Sequence, residues 1–513
     1  MSPAPRNVPR NPRSVLAERT NAQPHPVPRE ASHTNKYWLL PSNHVKSKRT
    51  LNAVEGGDRK RVKLSSDEQD CSDRSDAYES DSDAGETGIR KSGACRQRKT
   101  TQFLAISAAR SLPLGSSAHP FTSTLPILQS FVSANKSDMF RCQSLFDDSF
   151  LTPPYACSYS HSAKSGGIPL LAVATEQGTL HIINTSKRKD WDPEPVHTTL
   201  QPHSNGIFDV RWNPSDTLLA TCSGDRSTHI SDLETVKCVS WDPNHQDLLS
   251  TGGRDGLICI WDLHPSNLLP VITITAAHED VGPNGKRKAP KGKPAATPKS
   301  VTGLLHSDAN SHQLISSGSS DGILRCWDLR LSGKNKSAKV NEPPLLFSSP
   351  LDPTTSYSSR RPRGILSFTH GTGPTTGLIF ALGADSRIHT YARDSLTAYG
   401  HSYTHEKLQT NFYVQVACSP CGRWLATGGS GTNGNCFLFD VSNATRGPYG
   451  ILQPSVELKA QAGDAGAVDW AAGMLSTCWD DGTVRVWRPD IETYMACIEQ
   501  PEEKKWDWCW AAV

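Results

Sequence analysis

The 513-residue sequence predicts an all-β fold: a seven-bladed propeller behind a disordered N-terminal tail. Three observations carry this prediction. From about residue 150 a small–Gly–x–Asp–Gly turn recurs, followed by four or five alternating residues and a Trp-Asp pair. A second apolar strand, ending near Pro or Ala, precedes several of these turns. The first 110 residues hold neither pattern. A period of about 40–45 residues that closes on Trp-Asp marks WD-repeat blades, each a small four-stranded sheet.

Residues 1–110 are rich in Pro, Ser, Asn and Arg and poor in apolar runs, so they cannot bury enough surface to offset ordering entropy. Arg59, Lys60, Arg61 and Lys63 form a short basic run, with Lys46, Lys48 and Arg49 upstream, and read as a nuclear import signal. Residues 67–86 hold nine acids against one arginine, with interleaved serines, and are expected to stay extended by self-repulsion. Residues 111–150 read as a linker leading into the ring, with Gln143–Phe150 as its first strand.

Residues 151–490 form the predicted ring. Three repeats are clean: Gly252–Gly256 leading to Trp261-Asp262, Gly318–Gly322 leading to Trp327-Asp328, and Cys478–Gly482 leading to Trp487-Arg488. Their Asp-Gly pairs suit a two-residue hairpin loop with positive φ at both positions. Weaker copies turn at Gln177-Gly178, Gly224-Asp225, Ala384-Asp385 and Gly428–Gly434. The preceding strands are FDVRWNP at 208–214, VKCVSWDP at 236–243, YVQVACSP at 413–420 and GAVDWAA at 466–472. Together they give seven units, in which Trp is expected to pack between blades and Asp to tie the strand end. The interval from Asp225 to Asp255 is only 30 residues. The shortfall falls at Thr235 and Val236, where roughly a dozen residues are missing against a full period: the end of one outer strand and the first strand of the next blade. Either a segment has been lost or one blade is short. Ser231 stands where a Trp is expected.

The net charge of +3 names no partner. No run of 18 apolar residues predicts a membrane helix, and the start, MSPAPRNVPRNPR, is not a secretory signal. Of the 14 cysteines, Cys418 and Cys421 are the one close pair, without the further ligands that structural zinc needs, so no metal or other cofactor is expected. There is no phosphate-loop, nucleophile-elbow or zincin motif. The chain reads as a binding scaffold, not an enzyme, with no membrane partner and no small-molecule substrate.

PPYACSYSHS at 153–162, LAVATEQGTLHIINT, NGIFDVRW, GGRDGLICIWDL, SGSSDGILRCWDLR and NFYVQVACSPCGRWLATGGSG occur in an order that resembles the denticleless family, over about 140–490. That resemblance implies a nuclear substrate receptor of the cullin-4 RING ubiquitin ligase. Its implied substrates are degron-bearing replication-licensing and cell-cycle proteins held on the DNA sliding clamp. It also implies docking on the ligase adaptor, of the damaged-DNA-binding protein type, through a Trp-Asp-x-Arg ending. Trp327, Asp328 and Arg330 match in full, whereas Trp261 and Asp262 are followed by His264 in place of the arginine. The basic insert at 281–300, with Lys286, Arg287, Lys288, Lys291 and Lys293, reads as a loop for DNA phosphates or an acidic partner, or as a solvated linker. Animal relatives continue with a clamp-binding tail, and this sequence reads as a short, fungal-type form in which 491–513 is a docking or packing segment. The alternative is a chromatin or ribonucleoprotein scaffold without ligase linkage.

Overall fold

A computed structural model describes residues 124–512, except 146–149, 194, 196, 226, 229–230, 233–234, 265–268, 280–297, 308–309, 311, 331–342, 357–360, 432–433, 445–454 and 461–462. The alternating runs form strands, and short turns fold them into antiparallel meanders. The first sheet is Pro154–Tyr159, Leu170–Thr175, Leu180–Asn184 and Thr198–Leu200. The second has two strands, Ile207–Trp212 and Leu219–Ser223. The third is Val236–Trp241, Leu248–Gly253, Ile258–Asp262 and Ile272–Ile274. The fourth is Val301–His306, Gln313–Gly318, Arg325–Asp328 and Leu345–Ser348, and the fifth is Ile365–His370, Leu378–Gly383, Ile388–Ala392 and Ala398–Tyr403.

The remaining strands join in one composite sheet. Val416–Cys418, Trp424–Thr427, Cys436–Asp440 and Ser455–Leu458 form one meander, and Ala465–Ala471, Met474–Trp479 and Thr483–Pro489 another. Phe131–Ala134 pairs with Thr483–Pro489 on one side and with Trp508–Ala512 on the other, and the latter pairs with Ser455–Leu458. Met139–Arg141 also pairs with Thr483–Pro489. The strand that closes the ring is thus Phe131–Ala134 with Met139–Arg141, not Gln143–Phe150, of which only the bridge Gln143↔Leu151 is seen among the described residues. FVSA and MFR bury apolar side chains against the last meander; residues 146–149 of the expected strand lie outside the described residues. The segment after 490 packs as helix Ile491–Glu499 and strand Trp508–Ala512.

The first strands of the sheets stand side by side in chain order, and Ala465–Ala471 returns beside Pro154–Tyr159. The molecule is an all-β WD-repeat propeller. Each apolar cluster is shared by two neighbouring sheets: Trp261 packs on Ala220 and Cys222 of the second sheet, Trp327 on Ile258 and Ile260 of the third. Indoles of the inner strands reach across as well. Trp212 donates to Ser158 O at 3.0 Å, Trp241 to Arg211 O at 3.0 Å and Trp470 to Ala417 O at 3.1 Å.

Two expectations need correction. The Asp-Gly turns are three-residue loops: Gly256 and Gly482 have φ of +78° and +81°, but the aspartates before them do not have positive φ. Asp255 and Asp481 instead accept from the N–H two residues on, at 2.9 Å each, which closes the turn without a second left-handed residue. The shortened repeat also loses something different. Val236–Trp241 is in place as an inner strand, because its apolar residues are needed on both flanks of the ring. What is reduced is the outer part of the second sheet. Among the described residues, Ser227–Thr228 and Ser231–Asp232 pair only with each other.

Candidate functional site

The fourth sheet builds the Trp-Asp-x-Arg end from the inside outward. The Trp327 indole donates to Ser316 Oγ at 2.9 Å, and the same hydroxyl lies 3.0 Å from Nε2 of buried His278. Arg325, on the same strand, donates to the carbonyls of Ala277 and Glu279 at 2.6 and 3.2 Å. These bonds fix the loop before the sheet to its third strand. Beyond Trp327 the chain turns, with the Arg330 N–H on Asp328 Oδ1 at 3.1 Å. The Arg330 guanidinium grips the same carboxylate through Nε, at 2.8 Å to Oδ1, and through Nη2 to Oδ2. That bond holds the Asp328 carboxyl below the usual range. The Arg330 side chain is 67% exposed, and among the described residues its Nη1 meets no acceptor. The result is a preoriented planar fork with free donors facing outward.

The third sheet repeats this turn with a different ending. The Trp261 indole donates to Thr251 Oγ1 at 2.9 Å, and the His264 N–H donates to Asp262 Oδ1 at 3.0 Å. The His264 ring, however, spends both nitrogens, Nδ1 on Asp262 at 2.9 Å and Nε2 on Asp247 at 3.1 Å. Hydrogen bonding to Asp262 raises its pKa. An exposed imidazole with both nitrogens engaged offers no donor to a partner.

Strand direction separates two faces. His306 pairs beside Leu314 and Asp328 beside Gln313, so Arg330 lies at the end where inner strands finish. Tyr155, Phe208 and Lys237 lie one residue into their inner strands, hence at the opposite mouth. There they meet Phe412 and Tyr413 in one cleft. Inside the channel, Asp209 pairs with Arg211 at 3.1 Å and accepts from Val239 N at 3.1 Å, while Asp469 pairs with Lys164 at 3.1 Å and accepts from Tyr159 N at 2.7 Å. These charges are spent between neighbouring sheets.

The WD domain, G-beta repeat family matches residues 193–232, 227–262, 293–328 and 401–440. The chain is 28% identical over 383 residues to Denticleless protein homolog A of Xenopus laevis, covering 69% of this chain and 50% of that one. It is 29% identical over 367 residues to Cell division cycle protein cdt2 of Schizosaccharomyces pombe, covering 64% and 69%. Against the human Denticleless protein homolog it is 28% identical over 371 residues, covering 66% and 46%. The chain is similar to denticleless-family WD-repeat proteins over about two thirds of its length. It spans about half the length of the vertebrate relatives it matches. Among solved structures it is similar to the β-propeller domain of Myceliophteria_thermophila Cps50 (Swd1), at 14% identity and a TM-score of 0.47, covering 70% of this chain and 99% of that one.

Within the ring, Trp327, Asp328 and Arg330 share one strand end, and Trp261 and Asp262 share the matching end of the next sheet back. Arg59, Lys60, Arg61 and Lys63, and the loop residues Lys286, Arg287, Lys288, Lys291 and Lys293, lie outside the described residues. Sequence reasoning missed the aromatic mouth and the His278–Ser316–Trp327 relay. The aromatics carry no spacing signal, since three different stretches supply them. The relay carries no regular signal either: His278 stands 49 residues before Trp327, across the basic insert.

Proposed function

We propose that this chain is a non-catalytic substrate receptor of a cullin-4-type ubiquitin ligase, built as a seven-bladed ring whose second blade is shortened. The observation that carries this is the Arg330 fork: a rim arginine preoriented by its own Asp328, with donors left over, at the face away from the aromatic mouth. One face can then hold the ligase adaptor while the other presents an open mouth to substrate. Arginine in such a position is a frequent interface hot spot. The likeness to denticleless proteins supports the same assignment. The substrates we infer are degron-bearing replication-licensing and cell-cycle proteins on the sliding clamp, met in the nucleus after import through Arg59, Lys60, Arg61 and Lys63. The loop carrying Lys286, Arg287, Lys288, Lys291 and Lys293 would add salt-sensitive contact with DNA.

The spent His264 favours a second reading, a chromatin or ribonucleoprotein scaffold without a ligase, because two-point docking is reduced to one point. Depleting the protein separates the two. A receptor predicts that replication-licensing proteins persist through S phase; a scaffold predicts that their turnover is unchanged.

A further inference from the structure

The mouth away from Arg330 carries an aromatic cluster that adaptor docking does not use. Tyr155 stacks on Tyr413 at 4.4 Å and on Phe208 at 6.3 Å, and Phe412 meets Phe208 edge-on at 6.1 Å and Tyr413 at 5.3 Å. Phe412 and Tyr413 are 44% and 37% exposed. An ammonium already sits among these rings. Lys237 Nζ lies 3.6 Å from the Phe412 centroid and 4.3 Å from that of Phe208. Among the described residues, no carboxylate is within ion-pair distance of it, so ring faces alone hold the charge.

Two features say what the cluster prefers. Burial, and then the nearby Arg254, pull Lys237 down to about 8, so a bare ammonium gives up hydration here that the rings do not replace. Beside Tyr155 the surface is acidic. Glu176 faces the Tyr155 hydroxyl, and Asp464, Asp481 and Glu176 all raise the Asp480 carboxyl, after burial. The mouth therefore offers π faces, with acidic groups on its Tyr155 flank.

We propose that this mouth is an aromatic cage for a cationic side chain of a protein partner, methylated lysine above all, and that Lys237 is its resting occupant. A trimethylammonium keeps its charge at every pH, is weakly hydrated and needs no hydrogen-bond acceptor, which matches what the cage supplies. The Lys237 side chain is long and half-buried, so it can swing out toward solvent when a partner's cation enters. This site is independent of the adaptor-binding face and stands or falls without it.

The test uses the full chain and three small probes: Nα-acetyl-Nε-trimethyl-lysine amide, its unmethylated counterpart, and the neutral analogue with a tert-butyl group in place of the trimethylammonium. Binding is followed by ligand-observed NMR at millimolar concentration. The expected order is trimethyl-lysine first, lysine weaker, the neutral analogue weakest. Phe412→Leu, which keeps apolar contact but removes the π face, should weaken the trimethyl probe at least severalfold. Lys237→Ala should tighten it severalfold, because the resting occupant is gone. Equal binding of the charged and neutral probes, tighter binding of unmethylated lysine, no binding of any probe, or weaker binding to Lys237→Ala each overturns the proposal. The last outcome would make Lys237 itself the recognition group, for an anion.

Discussion

At the scale of single residues, the difference that matters for the proposed docking lies between Arg330 and His264, which occupy equivalent turns. Both donate a backbone N–H to the aspartate two residues earlier, yet only the arginine keeps donors in reserve. Arg330→Ala is expected to weaken adaptor binding at least roughly tenfold without unfolding the chain, since the side chain is mostly exposed. Arg330→Lys should rescue only part of that loss, because an ammonium cannot hold Asp328 bidentately and still face a partner. His264→Arg should tighten adaptor binding severalfold, measured by titration calorimetry; an unchanged affinity would remove the third sheet's rim from the interface. Both turns were legible in the sequence as Trp-Asp-Leu-Arg and Trp-Asp-Leu-His. What the sequence could not show was that Asp247, from another turn, takes the second imidazole nitrogen.

At the scale of elements, the strand end that carries Arg330 depends on buried polar relays. His278, His306 and His181 are held neutral, mainly by burial, with pKa values lowered to about 3, 4 and 4. The sign follows directly. Unfolded histidine takes up a proton below about 6.5, and these three folded ones do not. Stability is therefore unaffected above that pH and falls as the pH drops from about 6.5 toward 4. The loss is at most about 1.4 kcal/mol per pH unit for each histidine. Thermal melts at pH 7.5 and 5 should show a lower Tm in acid, and His278→Gln should reduce the difference; a Tm that rises in acid contradicts this. Trp327→Ala should cost about 3–5 kcal/mol, from the lost packing on Ile258 and Ile260 and the stranded Ser316 hydroxyl. The strands and turns themselves were readable, because alternation and Gly-Asp punctuation are local. The three-residue form of the turns was not, because the aspartate side chain's bond to the N–H two residues on replaces a left-handed residue.

At the scale of the whole molecule, the propeller is closed by segments far apart in sequence. Phe131–Ala134 and Trp508–Ala512 join the last two meanders, and Arg488, which stands where the other clean repeats have aspartate, pairs with Asp138 from the closing segment. The WCWAA ending gave no sign of this, since pairing partners as far off as Leu458 on one side and Val132 on the other leave no local pattern. Removing 508–512 should lower the Tm by several degrees and promote aggregation, because it opens strand edges at 131–134 and 455–458. Closure also fixes the two faces against each other, with Arg330 on one and the aromatic mouth on the other, and a receptor needs both. The most direct measurement is the affinity of the purified ligase adaptor for the full chain and for Arg330→Ala, with the fold of each verified by circular dichroism. Binding by the wild type that falls at least roughly tenfold in the folded variant is the predicted result. Equal affinity of the two, or no adaptor binding by a folded wild type, would contradict the account.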